Sequence, residues 1–205
     1  MTDEPSRRTL GHYQRNAERF EEGTRDHDVT QNLDALIAAL PGPAPQRILE
    51  LGCGPGRDLA ALAARGHTAI GLDGCAAFVA MARAATGCEV WQQDFVALAL
   101  PAARFDGVFA NASLFHVPSV HLPRVLGELR DTLIPGGALF CSNPRGDHEG
   151  WSGERYGCYF DLDRWRALFT AAGFVERDHY YRPPGLPRAE QPWLAMTWRK
   201  PITSS

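Results

Sequence analysis

Residues 48–56 read Ile-Leu-Glu-Leu-Gly-Cys-Gly-Pro-Gly, a short apolar run carrying Glu50 and then glycines at alternate positions. Gly52, Cys53, Gly54 and Gly56 thus follow a predicted strand and open a predicted helix. Glycine lets backbone approach a ligand where a side chain would collide. The helix start then offers unpaired N–H groups and a positive dipole end to an anionic group. Asp73, followed by Gly74, ends the next apolar run roughly 20 residues on, where a carboxylate can accept from both hydroxyls of a ribose. Each feature has a plainer reading. The glycines suit any tight strand–helix turn, and Asp-Gly is a common surface turn pair. Spacing limits the ligand. A dinucleotide fingerprint, G-x-G-x-x-G, requires glycine where this chain has Arg57.

More polar residues follow later apolar runs. Asp94 and Phe95 come after Glu89–Gln93, and alone they read equally as a helix cap and a core aromatic. Asn111, Ala112 and Ser113 follow Phe105–Ala110, with Phe115 and His116 just beyond. His116 has the residue type of a general base, or it is a packed histidine that orients a loop.

Taken in order, these motifs resemble the class I S-adenosylmethionine (SAM)-dependent methyltransferases, whose first motif is an acid, one residue, and G-x-G-x-G. The resemblance covers residues 11–200. It implies SAM as cofactor, with Glu50, Gly52, Cys53, Gly54 and Gly56 at its methionine part and Asp73 and Gly74 at the ribose. Asp94 and Phe95 would meet the adenine, and Asn111, Ala112 and Ser113 would border the methyl donor. Tyr13, in Tyr-Gln-Arg-Asn-Ala-Glu-Arg-Phe, resembles the N-terminal helix that closes over the methionine end, and Arg15 would pair with its carboxylate. His116 is then the candidate catalytic residue. His27, Asn143, Tyr156 and Tyr159 are candidate substrate residues. The acceptor would be an O, N or S nucleophile of a small molecule. Asn111-Ala-Ser-Leu stands where many nucleic-acid methyltransferases have Asn-Pro-Pro-Tyr, which argues against DNA adenine methylation. Two other readings stay open: a non-catalytic SAM- or partner-binding module, and an NAD-dependent oxidoreductase, against which Arg57 counts.

Positioning these residues requires alternating strands and helices. Strands are predicted at 47–51, 68–72, 89–93, 105–110, 138–142, 175–181 and 193–199. Helices are predicted at 57–65, 75–86, 122–133 and 162–172. The alternation implies an α/β fold, a Rossmann-like doubly wound sheet of seven strands. It is mostly parallel, with an antiparallel last strand and helices on both faces. Residues 1–10 read as a disordered tail. Residues 11–205 read as a single domain, with 11–40 as an N-terminal helical cap. Residues 143–160 read as an aromatic-rich loop without period.

The bulk properties fit that reading. The 205 residues suffice for one sizeable core. A net charge of -3 argues against a dedicated nucleic-acid partner. No membrane segment or secretory signal is apparent, which points to the cytoplasm. Five cysteines without a C-x-x-C pair argue against disulfides, and seven scattered histidines argue against a metal site. Oligomeric state is not legible.

Overall fold

The computed structural model describes residues 3–202. Three helices lead the chain: α1 (Glu4–Arg15), α2 (Ala17–Thr24) and α3 (Thr30–Ala39). Then come β1 (Arg47–Leu51), α4 (Arg57–Ala64), β2 (Thr68–Asp73), α5 (Ala76–Thr86), β3 (Val90–Gln92) and β4 (Phe105–Asn111). They are followed by α6 (Leu122–Thr132), β5 (Leu133–Pro144), the strands β6 (His148–Ser152) and β7 (Arg155–Tyr159), α7 (Leu162–Ala171), β8 (Val175–Arg182) and β9 (Trp193–Arg199).

Seven strands form one sheet in the order β3-β2-β1-β4-β5-β9-β8. Pairing is parallel from β3 through β5, and β9 runs antiparallel to both β5 and β8. This is the doubly wound, mostly parallel sheet expected. Its strands are nearly continuous apolar runs because both faces are covered. Leu49, Leu51, Val108 and Ala110 meet Leu126, Trp165 and Phe169 of α6 and α7 on one face. Ile48 and Phe109 meet Leu36, Leu59 and Val79 of α3, α4 and α5 on the other. Among the described residues, no helix is long and apolar enough to cross a membrane.

Two expectations are corrected. The tail assigned to residues 1–10 is helical from Glu4, while residues 1–2 lie outside the described residues, as do 203–205 at the far end. Asp3 caps α1 by accepting from Ser6 N, and a proline sits in the first turn. The helix is then held by tertiary contacts: Ser6 Oγ donates to Asp94 Oδ1 at 2.7 Å and Tyr156 N donates to Thr9 Oγ1 at 2.9 Å. The supposed loop 143–160 also has regular structure. β5 extends to Pro144, and β6 and β7 pair antiparallel around a turn in which Gly153 has φ 62°. The seam pairs Trp151 with Tyr156 and Glu149 with Cys158. Glycines within the strands disguised the period.

Candidate active site

Chain order reverses between β1 and β4: the chain runs outward through β2 and β3, then returns to the other side of β1. In open α/β sheets, ligands bind at such a switch point beyond the carboxyl ends of the strands. Here it opens into a cavity of about 700 Å³. Its floor is Glu50, Gly52, Cys53, Gly54, Asp73, Gly74 and Asn111–Ser113. Its roof is Ser6, Thr9, Leu10, Tyr13 and Phe20 of α1 and α2.

The floor has little room for side chains. Gly52 adopts φ 77°, and a Cβ there would collide with Ser113. Gly54 adopts φ 52° and faces open space, with Phe20 3.8 Å from where a Cβ would sit. Asp73 is tied to the turn: Gly54 N donates to its Oδ2 at 3.0 Å and Cys75 N to its Oδ1 at 2.8 Å. Burial pushes its pKa up to about 6. Each oxygen keeps a lone pair for a further donor.

Two neighbouring acids are less satisfied. Asp94 Oδ1 accepts from Ser6 Oγ and Val96 N, whereas Oδ2 is buried with no partner among the described residues. Glu50 Oε2 is equally unpaired, and burial followed by the nearby Asp58 charge pushes its pKa well up. Unpaired buried acceptors are costly, so three acids along this floor favour a ligand rich in donors or positive charge.

Asn111 is held rather than free. Its Nδ2 donates to Asp58 Oδ2 at 3.0 Å and its Oδ1 accepts from Asn32 Nδ2 at 2.9 Å. Asp58 in turn takes Nε and Nη2 of Arg57 at 2.6 and 3.1 Å. Ser113 Oγ donates to the Leu51 carbonyl. Phe95 and Ala112 complete the wall, and His27 lies exposed at the rim.

Tyr13 and His116 meet at 2.8 Å. His116 Nδ1 lies 2.6 Å from the Tyr156 carbonyl and must donate to it, which leaves Nε2 to accept from Tyr13. Burial lowers the His116 pKa to about 4 and raises that of Tyr13. Burial also carries the Cys53 thiol far above the range in which a thiolate forms.

Five residues expected at the site lie outside the cavity wall. Gly56 packs against α5, where a Cβ would sit 3.0 Å from Ala82 Cα. Asn143 is fully buried on the sheet face that carries Cys141 and Trp198. Tyr156 turns its hydroxyl to Glu149 Oε1 at 3.0 Å and offers only its carbonyl to His116. Tyr159 stacks on His148. Arg15 pairs with Glu154 at the surface. The sequence reading missed Ser6, Thr9, Phe20, Phe78, Asp58 and Arg182 on the wall. Asp58 lies two residues past the glycine turn and was legible; the others depend on tertiary docking.

The fold, and part of the chain, are similar to those of known methyltransferases. Residues 48–137 match the family model described as a methyltransferase domain. The chain is 38% identical over 111 residues to a trans-aconitate 2-methyltransferase of Methylobacterium nodulans, covering 53% of this chain and 42% of that one. An uncharacterized methyltransferase of Mycobacterium tuberculosis is 35% identical over 109 residues, covering 52% and 54%. The chain thus spans about half the length of the curated relatives it matches. Among solved structures, a Burkholderia thailandensis 1,6-didemethyltoxoflavin-N1-methyltransferase with bound S-adenosylhomocysteine (SAH) superposes with a TM-score of 0.78. It is 23% identical and covers 98% of this chain and 92% of that one. The DhpI–SAH complex gives a TM-score of 0.75 at 20% identity, covering 99% and 100%. At these identities the likeness is one of fold.

Proposed function

We propose that this protein moves a methyl group from SAM to an O, N or S nucleophile of a small molecule. The observation that carries the reading is the unpaired, buried Asp94 Oδ2 in a cavity whose floor also presents Asp73 and Glu50. These residues fit the cofactor. Asp94 would receive the adenine amino group and Asp73 the ribose hydroxyls. The open glycine turn leaves room for the methionine chain, and the floor acids suit a cation nearby. When bound, SAM supplies a methyl group on a sulfonium that is already strongly electrophilic.

The chain's contribution is alignment and exclusion of water. Tyr13, Phe20 and Phe78 form an aromatic roof, with ring centroids 5.1–5.6 Å apart. His116 is not a free base, because its accepting lone pair is occupied by Tyr13, while the ring of His27 stands exposed at the rim. An acceptor that arrives with its nucleophilic lone pair available needs no proton removed by His116. His116 positions Tyr13 and does not remove a proton.

Calorimetry with SAM, SAH and NAD tests the cofactor. Binding of SAM and SAH without NAD is expected, and failure of both SAM-type ligands to bind removes the proposal. Methyl transfer to a panel of thiols, phenols, amines and carboxylic acids then tests catalysis.

A further inference from the structure

The cavity carries charges of both signs. Glu50, Asp73 and Asp94 gather at the ends of β1 and β2 and just after β3, where the cofactor is placed above. Elsewhere the lining holds three arginines, Arg57, Arg155 and Arg182, together with Asp26, Asp28 and Asp58. Arg57 is occupied by Asp58 and the Thr24 carbonyl. The other two are not neutralised in this way.

Arg182, at the end of β8, uses Nη2 to donate to the Asp28 carbonyl at 2.8 Å. Its Nε is buried with no partner among the described residues. The Asp28 carboxylate, exposed at the rim, is held down first by its bond from Thr30 and only lastly by the charge of Arg182. Arg155, at the start of β7, is half-buried beside the Tyr13 hydroxyl. No carboxylate among the described residues pairs with it; the neighbouring Glu154 is engaged by His12 and Arg15. A guanidinium kept from water without an anion is unfavourable, and its donors match a carboxylate in a two-point fork.

We propose that Arg155 and Arg182 bind a carboxylate of the methyl acceptor, so that the substrate is a small organic acid. This rests on the methyltransferase reading. A carboxylate acceptor is ionised at neutral pH and needs no general base. The methionine part of the cofactor bears a carboxylate too, and it is the other source of the same chemistry at Arg155.

The test uses the full chain and the variants R155Q, R182Q and R182K. First, SAH and 5′-methylthioadenosine, which lacks the amino acid part, are titrated by calorimetry. All three variants are expected to bind both ligands as the unmodified protein does, which also reports folding. If R155Q weakens SAH but not 5′-methylthioadenosine, Arg155 holds the cofactor and its assignment to the acceptor is overturned. Next, the SAH-saturated protein is titrated with citrate as a carboxylate probe, with melting temperature as the readout. A citrate-dependent rise that disappears in the R155Q/R182Q double variant is expected. No rise, or an equal rise in both proteins, overturns the proposal. Finally, matched acids and their primary amides are offered as acceptors. Turnover of acids alone is expected, with R182Q raising KM about ten-fold or more and R182K recovering part of the loss. Turnover confined to amides, thiols or amines overturns it. Loss of SAH binding by the unmodified protein would instead strike the underlying methyltransferase reading.

Discussion

The Tyr13 hydroxyl donates to His116 Nε2 across 2.8 Å, joining a roof helix to the segment after β4. Because His116 Nδ1 donates to the Tyr156 carbonyl, the ring is a fixed neutral tautomer between two partners. Tyr13→Phe removes the hydroxyl and leaves a buried ring nitrogen unpaired. The expected cost is about 1–2 kcal/mol of stability, with weaker SAH binding because the roof loosens. Denaturant unfolding and calorimetry measure the two effects. Unchanged values for both would show that the contact is incidental.

His116 and Asp73 oppose each other in acid. The His116 pKa is lowered from 6.5 to about 4, so the unfolded chain takes a proton first as pH falls. Stability from this site is therefore full above 6.5, declines as pH drops to about 4, and is level below that. Asp73 is raised from 3.8 to about 6, so the folded state takes a proton first and gains stability as pH falls from about 6 to 3.8. His116→Gln should flatten the acid-side loss of stability, and Asp73→Asn should steepen it, by about 1–2 kcal/mol each between about pH 7 and about pH 4.5. Urea midpoints at about pH 4.5 and about pH 7 check the signs. A slope equal to that of the unmodified protein in either variant contradicts its assigned shift.

Gly52→Ala tests the floor. The backbone there has φ 77°, and the new methyl group would strike Ser113. A loss of about 2–4 kcal/mol is expected, from strain and overpacking together. Ser113→Gly in the same chain should recover only part of it, because the collision is relieved while the dihedral strain stays. Full recovery would mean that φ carries no strain at this position.

The floor was legible in the sequence because its residues are local: each acid or glycine ends its own strand, and strand ends are set by short apolar runs. The parallel sheet followed from the same alternation. The roof was not legible in the same way. Glu4–Arg15 is largely polar, and its helix is stabilised by docking Ser6, Thr9 and Tyr13 onto distant partners. The β6–β7 hairpin was hidden by glycines at 150, 153 and 157, and with it went the position of Arg155. Asn143 was misjudged by strand parity. Ser142 faces the cavity, so its neighbour must face the opposite core.

Asp94 offers a specificity test of the proposed adenine site. Its Oδ1 is committed to Ser6 and Val96, and its Oδ2 is free. Asp94→Asn can keep the first oxygen in place and turn an NH₂ toward the cavity. That group would face the amino group of adenine donor to donor, so SAH affinity should fall about ten-fold or more. S-inosylhomocysteine carries an oxygen in place of that amino group and should lose much less, or gain. Calorimetry with both ligands gives the ratio. A uniform loss would show that the amino group lies elsewhere.

The roof makes a prediction about dynamics. α1 is held by buried bonds at Ser6 and Thr9 and by an exposed ion pair from Arg15 to Glu154. Surface pairs contribute little, so Glu154→Ala should change stability by less than about 1 kcal/mol. Thr9→Val leaves the Tyr156 N–H without an acceptor and should cost about 1–3 kcal/mol. The difference should also appear locally: hydrogen exchange of Glu4–Arg15 should speed up in Thr9→Val and stay nearly unchanged in Glu154→Ala. SAH should slow exchange of the same helix, because a ligand beneath it adds contacts that the open state lacks. If Glu154→Ala loosens α1 as much as Thr9→Val, the exposed pair holds the roof. If SAH leaves exchange of α1 unchanged, the helix does not cover the bound cofactor.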